Sequence, residues 1–148
     1  MVRFNIMCYS FRVLFVKLNI TSQYAIRIMT FIVQNDTTKL FNAKSISQNL
    51  EIPYKYMTKI MTQLTNANII KSVRGREGGY AILKEPSHIK IVDILESVKE
   101  CLNSKNCLLG VGLCSETKKC ALHDKWQTPK HSMLDMFQNT TLADLKSV

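Results

Sequence analysis

Four cysteines and a histidine share one short stretch, CLNSKNCLLGVGLCSETKKCALH, which runs from Cys101 to His123. Their spacing is Cys-x5-Cys-x6-Cys-x5-Cys-x2-His, and Cys8 is the only other cysteine of the chain. Thiolates are soft ligands that favour iron–sulfur clusters, zinc or copper(I). The stretch therefore predicts a metal or cluster site, a set of thiols that sense oxidants, or cysteines without a role.

The redox state of these thiols depends on where the protein resides. The apolar start, MVRFNIMCYSFRVLFV, is interrupted by Arg12, is too short to span a bilayer, and has no small-residue cleavage site. We therefore expect a cytoplasmic protein with no membrane partner and reduced thiols, for which a disulfide framework is a poor explanation. We also expect residues 1–16 to be a non-native or mis-assigned extension, with Val16 read from a GTG start codon.

The positive charge is confined to one part of the chain. The net charge is +9; residues 1–90 hold 13 Lys and Arg against 4 Asp and Glu, whereas residues 91–148 hold 7 of each kind. A basic part joined to a neutral part predicts a polyanion-binding unit and a regulatory or assembly unit. A basic surface that only aids solubility is the alternative.

The basic part begins with helical periodicity. From Thr21, which with Ser22 is a candidate N-cap, apolar residues recur with the period of an amphipathic helix. Two shorter helices are predicted at NAKSISQNLE and at IPYKYMTKIMTQLTNANII, the latter with Pro53 at its first position. Their close succession, with a polar and basic outer face on the second, is typical of a helix-turn-helix, although ordinary helix pairs share the pattern. The stripe of the first helix comprises Ala25, Ile28, Met29, Ile32 and Val33.

A hairpin is predicted immediately after these helices. Ile69–Val73 and Tyr80–Leu83 are the predicted strands, and RGREGG is the turn between them. A hairpin after a recognition helix is a wing, with Arg74 and Arg76 at a tip that can reach phosphates or the minor groove. A nucleotide-binding phosphate loop is the rival interpretation, but the stretch lacks the Gly-Lys-Ser/Thr ending of such loops.

The segments SQYAIRIMTFI, IPYKYMTKIMTQLTNANIIKSVRGREGGYAI and CALHDKW together resemble the Rrf-type (Rrf-two) winged-helix regulators of bacteria, from about residue 17 to 145. The resemblance implies a mainly α fold with a small β-hairpin wing, in a homodimer that binds double-stranded operator DNA and usually represses. It implies a winged helix-turn-helix over residues 17–90, then a cysteine-rich sensor loop and a long C-terminal dimerisation helix over 91–148. The implied DNA contacts are Lys55, Tyr56, Thr58 and Lys59 on the recognition helix and Arg74 and Gly75 on the wing. Arg76 joins this predicted set through its position at the hairpin tip.

The resemblance also suggests a role for the cysteines. In the iron–sulfur members, three cysteines bind the cluster, and some members add a histidine three residues after the last cysteine. Cys120 and His123 match that ending, and Cys114 matches the middle cysteine. Cys107 matches the first cysteine with one residue inserted, while Cys101 is extra, at the end of the predicted helix IKIVDILESVKEC. Some relatives take a fourth ligand from an aspartate where this chain has Gln23, a poor iron ligand. A 2Fe–2S cluster on Cys107, Cys114, Cys120 and His123 is therefore favoured over 4Fe–4S, with zinc or no metal as alternatives.

The C-terminal segment LHDKWQTPKHSMLDMFQN resembles the dimerisation helix, with Pro129 expected to kink it or lie near a break. TTLADL is predicted to be a docking tail. The sequence contains no nucleophile–base pair in a context that supports catalysis, so we expect a transcriptional regulator and not an enzyme. A cluster-free regulator controlled by a metabolite or partner protein is one alternative; a zinc- or redox-binding adaptor that uses its winged domain for protein contacts is another. The apolar face of the predicted dimerisation helix comprises Leu122, Trp126, Met133, Leu134 and Phe137.

Overall fold

The computed structural model describes residues 18–35, 37–102, 107, 109 and 112–147, and the expected extension, residues 1–16, lies outside these ranges. Within these ranges, five α-helices and one antiparallel hairpin confirm the predicted, mainly helical fold with a wing. None of the described helices is long and apolar enough to cross a membrane. The elements are α1 (Ile20–Gln34), α2 (Ala43–Leu50), α3 (Tyr54–Asn66), β1 (Ile70–Val73), β2 (Gly79–Ile82), α4 (Ile91–Ser97) and α5 (His123–Asn139), with 3-10 turns at Pro86–His88 and Ala143–Ser147.

Helix α1 is the central element of the core. Its predicted apolar stripe is completely buried, which confirms the helical register read from the periodicity. The helix begins one residue before Thr21, because the side chain of Asn19 accepts a hydrogen bond from the Ser22 amide at 3.0 Å. The predicted cap at Thr21 or Ser22 was therefore wrong: both lie inside the first turn.

The helix-turn-helix is formed by α2 and α3. Asn42 caps α2, and Glu51 ends it in the left-handed conformation with φ 54°. The Ser47 hydroxyl then donates to the Ile52 carbonyl at 2.6 Å, which fixes the turn. Pro53 is the N-cap of α3 and not its first helical residue. The inner face of α3 is fully buried, so its opposite face must point outward; the buried residues are Met57, Ile60, Met61 and Leu64.

The wing is the hairpin β1–β2, with Ile70 paired to Ile82 and Val73 to Gly79. Phe41, just before α2, extends this sheet, since its amide donates to the Tyr80 carbonyl at 2.8 Å and its carbonyl accepts from the Tyr80 amide at 2.9 Å. A Cβ atom on Gly79 would lie only 2.8 Å from the Phe41 oxygen. Glycine at this position therefore allows the third backbone segment to join the wing.

The segment between the wing and α5 differs from its prediction. Helix α4 ends at Ser97, and Lys99 follows with φ 62°. Cys101 therefore lies beyond the helix, not at its end. Helix α5 continues across Pro129 from His123 to Asn139, so of the predicted kink or break the break is absent. This is compatible with proline chemistry because Pro129 is exposed, where water can satisfy the carbonyl that lacks its helical donor.

The C-terminal tail docks onto the winged part, as predicted. Leu142 is completely buried, its amide donates to the Ile89 carbonyl at 2.7 Å, and the Ile91 amide donates to the Thr140 carbonyl at 3.0 Å. The Asp144 carboxylate accepts hydrogen bonds from the amide and the hydroxyl of Thr141 at 2.7 and 2.8 Å, and these bonds lower the pKa of Asp144. The end of α5 is thereby attached to the start of α4.

Candidate DNA-binding surface and cysteine site

The outward face of α3 presents two of the predicted contacts to solvent. Lys55 and Lys59 are one helical turn apart and exposed, and neither forms an ion pair with any described residue. Thr58 is half-buried, and its hydroxyl donates to the Lys55 carbonyl at 3.0 Å. Because α3 contains no acidic residue, this face is uniformly cationic or polar.

Tyr56, the fourth residue predicted on α3, contacts the protein itself. It is half-buried, its ring meets the edge of Tyr24 with 5.7 Å between centroids, and its hydroxyl hydrogen-bonds to that of Thr21. These contacts orient α3 against α1. Tyr54, which sequence reasoning did not select, is instead 55% exposed at the first residue of α3. The available signal was its position one turn before Thr58 on the polar face.

The wing tip carries the remaining predicted contacts. Arg74, Gly75 and Arg76 are all exposed, and Gly75 has φ 121°, a conformation that favours glycine. Neither arginine forms an ion pair with a described residue. Only one acidic residue, Glu51, lies between Asp36 and Glu77, in a segment that holds seven Lys and Arg. The helix-turn-helix and the wing therefore present nearly unopposed positive charge.

The four predicted metal ligands form linked pairs. The Sγ atom of Cys114 lies 3.3 Å from Nδ1 of His123. A hydrogen bond with Cys107 raises the pKa of the Cys120 thiol, and the charges of Cys107 and Cys114 act in the same direction. Among the described residues, no three His, Cys, Asp or Glu side chains form a group that could hold a metal ion. The donors are therefore neighbours without a ready-made coordination geometry.

Local backbone structure explains how distant cysteines become neighbours. Gly112 has φ 116°, and its carbonyl accepts from the Cys107 amide at 2.8 Å, which brings the backbone at Cys107 next to that at Gly112. In the second half, a turn pairs Ser115 with Lys118. The His123 amide then donates to the Cys120 carbonyl at 3.0 Å as α5 begins. Position and burial of His123, which is 2% exposed, are thus set by the first turn of α5.

Polar side chains that sequence reasoning missed surround this site. Glu116 Oε1 lies 3.1 Å from Nε2 of His123, and Glu116 Oε2 lies 3.0 Å from Nζ of Lys119. The hydrogen bond from His123 lowers the pKa of Glu116, and Lys119 reinforces that effect. Gln127, one turn into α5, lies 3.7 Å from Sγ of Cys114 through Nε2. For Gln127, the sequence signal was its position four residues after His123, on the same face of a helix.

Two residues that the sequence set apart remain outside the group. Cys101 is half-buried and disulfide-bonded, which differs from the prediction that every thiol is reduced. The amide nitrogen of the Gln23 side chain donates to the Leu18 carbonyl at 2.6 Å. Gln23 has no described contact with the four predicted ligands.

Comparison with known proteins identifies the family. Residues 18–147 match the Rrf2 family model, described as an iron-dependent transcriptional regulator. An HTH-type transcriptional regulator of Aquifex aeolicus (strain VF5) is 32% identical over 86% of this chain and 90% of its own length. The regulator IscR of Klebsiella pneumoniae (strain 342) is 27% identical over 87% of this chain and 78% of its own.

Solved structures agree on the fold. CymR, the global cysteine regulator of B. subtilis, superposes with a TM-score of 0.76 at 25% identity, covering 89% of this chain and 97% of that one. IscR of T. potens superposes with a TM-score of 0.68 at 23% identity, covering 89% and 87% of the two chains. The protein therefore belongs to the Rrf2 family of transcriptional regulators.

Proposed function

We propose that the protein binds operator DNA as a homodimer, represses transcription there, and changes its DNA affinity through a cysteine-ligated centre. In this proposal residues 17–90 bind DNA, whereas residues 91–148 form the sensor and the dimer contact. The observation that carries the proposal is the set of exposed cations on α3 and the wing, none of which forms an ion pair with an acidic side chain in the described part of the chain. Contacts between such cations and DNA phosphates favour binding because they release condensed counterions.

Helix α3 and the wing contact different parts of the DNA in this proposal. Lys55 and Lys59 project from the face of α3 opposite the core, which is the face that a recognition helix turns to base edges. Arg74 and Arg76 project from a narrow hairpin tip that suits phosphates or the minor groove. Tyr56 holds α3 in place against Tyr24, and so acts on DNA through the orientation of the helix.

A pair of substitutions tests this division. Arg74→Ala is expected to weaken binding to operator and random DNA alike, and to reduce the slope of log affinity against log salt by about 0.9, the contribution of one phosphate contact. Lys59→Ala is expected to reduce discrimination between the two DNAs by about 1–3 kcal/mol. Fluorescence anisotropy across a salt series measures both quantities.

The matched control is Lys125→Ala, which removes one exposed positive charge from α5 in the neutral part of the chain. It is expected to leave the affinity nearly unchanged. Operator affinity that is unchanged in the Arg74 and Lys59 variants as well would contradict the assignment of contacts.

The dimer contact is supported by an apolar stripe on α5. Leu122, Trp126, Pro129, Met133 and Met136 follow one another at intervals of four and three residues, the spacing of a helical seam. Leu122 is 38% exposed and Met136 is 53% exposed, so the protomer leaves part of this stripe uncovered. A second copy of the same helix would bury it, in an isologous contact.

We expect Met136→Glu to convert the dimer to monomer at micromolar concentration, because it places a charge in the apolar contact. Sedimentation velocity measures the change, and Asp135→Glu, an exposed conservative neighbour, is the control. A dimer also predicts an operator with an imperfect inverted repeat, whose half-sites lie about one helical turn apart. A monomer bound to one asymmetric half-site in footprinting would exclude this arrangement.

The donor set of the cysteine site suits a metal centre. Three thiols and one imidazole are linked by the Cys107–Cys120 and Cys114–His123 contacts, and these four side chains would hold the centre. A 2Fe–2S cluster would supply a redox-active centre whose charge changes on reduction, and zinc would stabilise the fold of the loop. Because His123 begins α5, ligation would attach the loop firmly to the proposed dimer helix.

Anaerobic purification of the full chain, followed by a visible absorption spectrum and by iron, sulfide and zinc counts, tests the centre. Iron with equal sulfide supports a 2Fe–2S cluster, and zinc alone supports the structural alternative. Protein without metal that still binds operator DNA supports a cluster-free regulator controlled by a metabolite or a partner protein. Absence of salt-dependent DNA binding supports the adaptor that uses its winged domain for protein contacts.

A further inference from the structure

His123 is enclosed so completely that its ring must be held by specific partners. Only 2% of it is exposed, and both ring nitrogens have a neighbour. Nδ1 faces Sγ of Cys114 at 3.3 Å, and Nε2 faces Oε1 of Glu116 at 3.1 Å. The ring therefore connects the thiols on one side to a carboxylate on the other.

The carboxylate decides which nitrogen carries the proton. An ionised carboxylate has no hydrogen to donate, so the short contact requires a proton on Nε2 of His123. In the neutral ring, the lone pair then lies on Nδ1 and points to Cys114. Nε2 of Gln127 lies 3.3 Å from the same Nε2 atom, but two donors cannot bond each other. The Gln127 amide is therefore left to donate to Sγ of Cys114 at 3.7 Å.

Glu116 is itself held in place. It lies in the turn that pairs Ser115 with Lys118, between the last two cysteines. Its second oxygen accepts from Nζ of Lys119 at 3.0 Å, and Lys119 also reaches Oδ1 of Asp124 at 2.9 Å. The charged group that faces His123 is thus anchored by a turn and by a lysine, although 75% of the Glu116 side chain is exposed.

We propose that Glu116 is a positioning residue that holds the His123 ring with Nδ1 turned to the cysteines, and so presents a ligand nitrogen to the metal centre. The inference rests on the proposed function, since only a centre on the cysteines would use that nitrogen. Histidine ligands commonly donate their second N–H to a carboxylate, which fixes the tautomer and the ring orientation. Here this partner comes from the loop between the ligating cysteines themselves.

Glu116→Ala and Glu116→Gln test the proposal, with Asp124→Asn as the matched control. Asp124 shares Lys119 with Glu116 but has no described contact with His123, so its variant perturbs the ion pair and spares the ring contact. The first readout is the tautomer of His123 in the reduced, metal-free full chain, obtained from ring 15N–1H NMR correlations. His88 and His131, which are exposed, serve as internal references.

The parent protein and the Asp124 variant are expected to show the Nε2–H tautomer. Glu116→Ala should give a mixture of tautomers. Glu116→Gln should give an intermediate result, because the amide oxygen can accept from a protonated Nε2 and, after rotation, the amide nitrogen can donate to an unprotonated Nε2. The second readout is titration with Co2+ alone, monitored by its visible thiolate bands. Loss of Glu116 is expected to weaken Co2+ binding by about 10–100-fold, the range for such outer partners.

The two readouts separate the inference from the function on which it rests. A parent protein that binds neither Co2+ nor iron overturns the metal centre, whatever the tautomer. A parent that binds Co2+ while Glu116→Ala keeps both the pure Nε2–H tautomer and the parent affinity overturns the role of Glu116 alone. A change of affinity equal in the Glu116 and Asp124 variants would assign the effect to Lys119 and also overturn it.

Discussion

Replacing Cys114 with alanine is expected to abolish the proposed metal centre and to fix DNA affinity at a single value. Cys114 is the member of the group that contacts both His123, at 3.3 Å, and Gln127, at 3.7 Å. Its loss removes one of four donors and breaks the link between the loop and α5. A 2Fe–2S cluster and a structural zinc ion are each held by four protein donors, so we expect a site left with three to lose either centre.

The measurement is iron, sulfide and zinc content, with operator affinity determined in the presence and absence of the centre. Two states that differ tenfold in affinity differ by about 1.4 kcal/mol, and this difference should disappear in the variant. Cys107→Ala and Cys120→Ala should behave in the same way. Cys101→Ala is the control, because Cys101 is not one of the four predicted ligands, and the centre should persist.

A variant without Cys107, Cys114 and Cys120 that still responds to the cellular signal as the parent does would rule out the sensor. The cysteines would then be structural or without a role. The direction of the switch follows from the same experiment, since the affinity of the variant equals that of the state that lacks the centre.

Leu142→Ala is expected to lower the free energy of unfolding by about 2–5 kcal/mol, the usual effect of a cavity in a core. Leu142 is completely buried, and its backbone pairs with Ile89 at 2.7 Å. Since small domains are stable by only about 5–15 kcal/mol, this change would remove a large share of the total. Urea unfolding of the metal-free protein, followed by circular dichroism, measures it.

Leu83→Ala is the matched control, because the same atoms are removed from a leucine that is 48% exposed. It should change the free energy by less than about 1 kcal/mol. An effect of Leu142→Ala no larger than that of the control would mean that the tail is dispensable. A separate early transition in the variant would mean that the tail unfolds apart from the winged unit and would contradict a single cooperative core.

The sequence by itself determined the elements whose signals are local. The stripe of α1 and the inner face of α3 were predicted because burial of one helix face imposes a period on consecutive residues. The turn RGREGG, with its glycines, predicted the hairpin, and the observed strands, Ile70–Val73 and Gly79–Ile82, begin and end within one residue of the prediction. The clustered cysteines predicted a metal site because thiolates are soft metal ligands, and that site stays a prediction.

Only the tertiary structure determined which residues far apart in the sequence contact one another. Tyr56 has the sequence position of a DNA contact, yet Thr21 and Tyr24, on another helix, engage its hydroxyl and ring. Phe41 joins the wing through two backbone hydrogen bonds, which the type of its side chain does not predict. Glu116 reads as an ordinary surface charge until a turn brings it to His123. Contacts of this kind arise from chain folding in three dimensions, and no periodicity along the sequence encodes them.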